Sequence, residues 1–139
     1  MKILAATVLT IFMSATDFAQ VAPGQAGNYT GTFKAHTVAT DLSINDHSKM
    51  PVTCTISSDG TTTISSDDGL LITGNLVSSG RYGFFSMAEE FTTGTGIWKF
   101  SKRGNVKASL EYGVHPGGDI VYTVDSKLKL KREKTSLGR

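Results

Sequence analysis

The sequence predicts an all-β fold, a single antiparallel meander of about eight short strands closing into an up-and-down β-barrel, with a β-sandwich as the alternative. Two observations predict it. Past residue 26 the chain repeats one texture, four to eight residues rich in Thr, Val, Ile and aromatics followed by a Gly, Asp, Asn or Ser cluster. Within each run the apolar residues recur at every second position, most clearly near the end of the chain. There Ile120, Tyr122, Val124, Leu128 and Leu130 alternate with Val121, Thr123, Asp125, Lys127, Lys129 and Lys131. A helix would scatter those lysines around its circumference, so a period of two is required.

Taken in order, the first strand is expected over Gly27 to Ala35, with Tyr29, Gly31 and Phe33 on one face and Asn28, Thr30 and Thr32 on the other. The segment from His36 to Lys49 is too polar to assign. Strands follow over Pro51 to Ser57 (Val52, Cys54, Ile56 inward), Thr61 to Ser65 and Leu70 to Val77 (Leu70, Ile72, Leu76 inward). The next run over Arg81 to Ser86, Ile97 to Ser101, Val106 to Tyr112 and Asp119 to Lys131. Ser58-Asp59-Gly60, Asp67-Asp68-Gly69, Ser78-Ser79-Gly80 and Arg103-Gly104-Asn105 are the clearest turn signals, since glycine and asparagine reach positive φ at low cost. One helical turn is expected over Met87 to Phe91, and Arg132 to Arg139 reads as a frayed, basic tail.

Short turns in sequence order favour a barrel over a sandwich, whose Greek-key connections are longer. The opening Gly27-Asn28-Tyr29 and Gly31-Thr32-Phe33 resemble the first strand of small lipocalin-like and avidin-like barrels. The resemblance is one of architecture over most of the chain. The lipocalin Gly-x-Trp signature is absent from the first strand, and Gly96-Ile97-Trp98 falls in a late one, so no family function is carried over.

Residues 1–19 have the three regions of a secretory signal: Lys2, an apolar stretch from Ile3 to Met13, then small residues from Ser14 to Ala19. The apolar stretch is shorter than the about 20 residues a membrane-spanning helix needs. Residues 20–139 are then expected to form a single all-β domain, secreted or periplasmic, without stable membrane insertion. Cys54 is the only cysteine, so stability must come from packing, and its place between Val52 and Ile56 makes it an inward thiol. The net charge of +2 hides an asymmetry: Gln20 to Trp98 carries three basic against seven acidic residues, Lys99 to Arg139 ten against four. Lysines on strand edges that block sheet pairing account for this more simply than a surface for anionic partners does. Clustered arginine interleaved with aromatics is missing, which argues against nucleic acid.

Chemistry is sparse. His36, His47 and His115 form no paired metal spacing, and Asp46-His47 beside Asp41 is the one carboxylate and histidine cluster. Glu89-Glu90 and Asp67-Asp68 would point to opposite faces of a strand, and no serine elbow or phosphate loop is present. The expectation is therefore no catalytic residue, no metal and no cofactor. The aromatics fall largely on the inward faces, where a barrel of eight strands is either filled or holds one small ligand. In the second case Tyr29, Phe33, Trp98, Tyr112 and Tyr122 form the wall, with phenol and indole groups orienting a small apolar or amphipathic ligand. The leading functional expectation is a non-enzymatic binding module. A protein-interaction or envelope-associated module using the basic last strand, and a hydrolase or isomerase around His36, Asp41 and His47, are the alternatives.

Overall fold

The computed structural model describes residues 21–88, 91–117 and 121–134. Within them the period-two alternation becomes eight strands: β1 (Gly27–Ala39), β2 (Asn45–Ile56), β3 (Thr61–Ser65), β4 (Leu71–Ser79), β5 (Tyr82–Ala88), β6 (Thr92–Phe100), β7 (Val106–Val114) and β8 (Tyr122–Arg132). Each strand pairs antiparallel with its neighbour in sequence, and β1 pairs with β8 from Tyr29↔Arg132 to Ala39↔Tyr122, which closes the barrel. That pairing excludes the sandwich. No helix occurs among the described residues.

The four turn signals sit at the β2–β3, β3–β4, β4–β5 and β6–β7 hairpins. Three of these share one backbone design, in which the glycine N–H donates to the carbonyl of the residue three before it: Gly60 to Ser57, Gly69 to Ser66 and Gly104 to Ser101. The glycines have φ of 96°, 101° and 86°, a region that side chains with a Cβ avoid. Ser66 Oγ and Ser101 Oγ each accept two further backbone N–H groups inside their turns.

Registers set the interior into layers. Phe33, Leu128, Ala108, Trp98 and Gly83 oppose one another across β1, β8, β7, β6 and β5. The next layer toward the other end is Ala35, Ser126, Leu110, Gly96, Phe85 and Leu76. Large side chains alternate with small ones, as an interior this narrow demands. A Cβ on Gly96 would collide with the Leu110 side chain, so the missing side chain is a packing requirement. Ser126, the one polar residue on the inward face of β8, donates to the carbonyl of Leu110 at 3.1 Å. It is thereby satisfied in the core.

One end of the barrel is plugged. Residues 21–26 cross it, with Val21 and Gln25 buried. Gln25 Nε2 donates to the Gly80 carbonyl at 2.7 Å, and Ser78 Oγ donates to Gln25 Oε1 at 2.5 Å. Arg132 ties the same segment to β1, its Nη1 donating to the Gly24 carbonyl and to Tyr29 Oη, and its Nη2 to the Ala26 carbonyl at 2.6 Å.

The structure corrects several sequence expectations. The unassigned polar segment is mostly strand: β1 runs on to Ala39 and β2 starts at Asn45, paired as far as Val38↔Asn45. Arg132 ends β8 and locks the plug, so it is no part of a frayed tail; residues 135–139 lie outside the described residues. β5 continues to Ala88 where a helical turn was expected, while Glu89 and Glu90 lie outside the described residues. β6 starts at Thr92, five residues before the expected Ile97, because inward Gly94 and Gly96 hide the alternation. The proposed signal peptide and the expected start of the last strand at Asp119 also fall outside the described residues.

Candidate binding cup at the open end

Past the Phe85 layer the interior is no longer filled. The next inward layer is Asp46, Thr37, Val124, Tyr112, Gly94 and Met87, and the rim layer is Ala39, Tyr122, Val114 and Thr92. Glycine opposite Tyr112 and short polar groups on β1 and β2 leave space there. The result is a cup of about 490 Å³, whose wall also includes Ile44, Ser48, Leu70 and Ile72. That volume lies in the usual range for small-molecule sites, about 300–1,000 Å³.

The cup is open at the side as well as the top. β3 is only five residues long and pairs with β2 from Thr53↔Ser65 to Ile56↔Thr62, so β2 from Asn45 to Val52 pairs with β1 alone. Pro51, which has no N–H to give, falls in this one-sided stretch, where it is tolerated. At the rim, Leu42 in the β1–β2 turn has φ of 63° and its side chain is exposed. A bulky residue in the left-handed region is strained, and such strain concentrates at functional edges.

The wall is chemically two-sided. Ile72, Met87, Tyr112 and Val124 are buried and apolar, while Asp46 and Ser48 on β2 are exposed. Burial pushes the Tyr112 phenol up to about 12, so at neutral pH it is a neutral hydrogen-bonding group. Of the five residues singled out from sequence, Tyr112 and Tyr122 line the cup. Tyr29, Phe33 and Trp98 lie deeper: Phe33 and Trp98 share the layer two below Tyr112, and Tyr29 Oη donates to the Gln25 carbonyl at 2.6 Å in the plug. The period of two, carried on from Phe33 through Ala35 and Thr37 and back along Met50, Ser48 and Asp46, would have found the polar side.

The remaining candidates lie elsewhere. His36 and His47 are direct cross-strand partners on the outer face, stacked with ring centroids 4.2 Å apart, and His36 Nε2 is 2.7 Å from Asn45 Oδ1. They border an outer groove of about 640 Å³ with Lys34, Lys127, Glu111 and Asp125, a polar and charged wall without the cup's apolar side. Asp41 does not join them, since its Oδ1 accepts from the Ser43 N–H and hydroxyl in the hairpin turn. Among the described residues no three His, Cys, Asp or Glu side chains are grouped to hold a metal ion. Cys54 is a free thiol in the core, pushed up to about 12 by burial. The chain matches no protein-family model, no curated protein and no solved structure.

Proposed function

We propose that this protein is a secreted or periplasmic, non-enzymatic binding module that holds one small amphipathic molecule in the open end of its barrel. One observation carries the reading: the interior is packed up to the Phe85 layer and open beyond it, at Tyr112, Met87, Val124 and Asp46. The apolar part of the ligand lies against Ile72, Met87, Tyr112 and Val124. Its polar end faces Ser48 and the Asp46 carboxylate, which favours a head group that donates hydrogen bonds or carries positive charge. Apolar burial supplies the affinity and the β2 side supplies the orientation.

Titration calorimetry with a panel of cationic, neutral and anionic single-chain amphiphiles tests this. Saturable one-to-one binding at about micromolar affinity is expected, strongest for the cationic heads. Tyr112→Ala is expected to weaken it roughly tenfold, and Asp46→Asn to remove the head-group preference. Absence of saturable binding across the panel, or binding indifferent to Tyr112→Ala, overturns the reading.

A further inference from the structure

The outside of the barrel carries a feature that the cup does not explain. Val77, Phe84 and Ile97 are consecutive cross-strand partners on the outward faces of β4, β5 and β6, so their side chains form one stripe. They are 51%, 51% and 57% exposed. Scattered apolar residues on a surface are ordinary, whereas these three in direct register form one contiguous exposed stripe. In the adjacent register, Tyr82, Lys99, Lys107 and Lys129 follow one another across β5, β6, β7 and β8. Lys99 Nζ lies 5.9 Å from the centroid of the exposed Tyr82 ring.

Lys107 is the telling residue. It stands directly opposite Lys99 on one side and Lys129 on the other, and like charges directly opposed in a sheet are destabilising. A single lysine would protect a strand edge, yet β6, β7 and β8 are all central strands of a closed barrel with no edge to protect. No carboxylate stands directly opposite Lys99, Lys107 or Lys129; the outward carboxylates of β7 and β8, Glu111 and Asp125, oppose each other two outward rows away, toward the open end. The fold therefore maintains a cationic row it does not need, immediately beside an apolar stripe.

We propose that the outer face of β5, β6 and β7 docks on an anionic bilayer surface, Phe84 and Ile97 entering the interfacial region while Lys99 and Lys107 meet lipid phosphates; Val77 on β4 and Lys129 on β8 flank the contact on its two sides. Charge complementarity selects the occupant. Nucleic acid would use the lysines but gain nothing from the branched aliphatic Val77 and Ile97, which cannot stack on bases. A bilayer interface uses both, taking apolar side chains below the head groups and cations at their level. Tyr82 sits where the two meet, with an apolar ring and a polar tip. The contact is peripheral and salt-sensitive, because few apolar groups enter and the cations act through a screened field.

Co-sedimentation with vesicles tests it, comparing pure phosphatidylcholine with vesicles containing roughly one-third phosphatidylglycerol. Partitioning onto the anionic vesicles is expected to be roughly tenfold stronger and to fall as salt is raised. Lys107→Glu is the decisive variant, because it replaces two like-charge pairs by two opposite-charge pairs. It is expected to leave the melting temperature unchanged or raised while abolishing vesicle binding, so loss of binding cannot be ascribed to unfolding. Phe84→Ser, at an exposed position, is expected to weaken binding with the fold kept, and Tyr112→Ala in the cup to leave it unchanged. Equal binding to neutral vesicles, retention of binding in Lys107→Glu, or a dimer that covers the stripe and ignores vesicles overturns the proposal. So does preferential binding to single-stranded DNA.

Discussion

Arg132, the last residue of β8, lies over the ring of Tyr29 near the start of β1, its guanidinium carbon 5.6 Å from the ring centroid, and also donates to the Tyr29 hydroxyl. The two residues are direct register partners across the closing seam. The same guanidinium holds the Gly24 and Ala26 carbonyls, so one side chain links the first strand, the last strand and the plug. Only a planar fork with separate N–H groups can do this. Arg132→Ala is expected to destabilise by about 1–3 kcal/mol in urea denaturation, and Arg132→Lys to fall nearer to the alanine variant than to wild type. Full rescue by lysine would show that charge alone matters there.

The register of β8 makes a second prediction. Leu128 is buried between Phe33 and Ala108, whereas Lys129 points outward between Thr32 and Lys107. Leu128→Ala is expected to cost about 2–5 kcal/mol. Lys129→Ala is expected to be neutral or slightly stabilising, since it removes a like-charge pair. Equilibrium unfolding of both variants decides the matter, and a larger loss for Lys129→Ala would invert the assignment of faces.

Trp98 is fully buried beside Phe85 and Phe100, with ring centroids 5.5 Å and 6.5 Å away, and its Nε1 has no hydrogen-bond partner. Its emission is expected to be blue-shifted and lost to the red on unfolding. Trp98→Ala opens a large void and should cost about 3–5 kcal/mol. Trp98→Phe leaves a smaller void and removes an unsatisfied donor whose burial costs about 1–3 kcal/mol, so the two effects oppose. Its net change is expected to stay below about 1.5 kcal/mol, and a loss as large as that of alanine would mean the indole N–H is satisfied in solution.

Alkaline pH should expose two of the buried acids. Burial raises Tyr112 from 10.0 and Cys54 from 9.0, each to about 12, so both keep their protons in the folded state after the unfolded chain has lost them. Their contribution to stability is complete below pH 9.0 and declines as pH rises from there to about 12. The double variant Tyr112→Phe, Cys54→Ala is expected to lose less stability over that interval than wild type. Native Cys54 should also resist a thiol reagent at pH 8 that labels the denatured chain at once. Rapid native labelling would contradict its burial.

The filled half of the barrel was legible because both of its faces give a signal, apolar inward and polar or lysine-bearing outward, as in β8. The open half was not. Thr37, Asp46 and Ser48 point inward, but toward the cup, so the alternation that marks a strand disappears although the β1–β2 ladder continues. Gly94 and Gly96 erased it from β6 for the opposite reason, by making room for Tyr112 and Leu110. The sequence places Arg132 in a tail because nothing local announces a partner 103 residues away. Of the residues lining the cup, the inward phase thus predicts Tyr112 and Tyr122 and none of the polar side.

The seam between β1 and β8 makes the connectivity a ring, cut at an arbitrary point. Both ends of the described chain lie at the plugged end, where the Ala22 N–H donates to Ser78 Oγ and the Glu133 N–H donates to the Asn28 carbonyl, each at 2.9 Å. A short linker could join them and a new opening be made elsewhere, for instance at the exposed Ser58-Asp59 in the β2–β3 turn. Such a permuted chain would retain every strand pair of the barrel while changing which strand is made last. In the natural order, β1 must wait with one side unpaired until the final strand exists, and closure is a contact of maximal sequence separation. Permutation therefore separates what this architecture owes to its pairings from what it owes to the order in which they form.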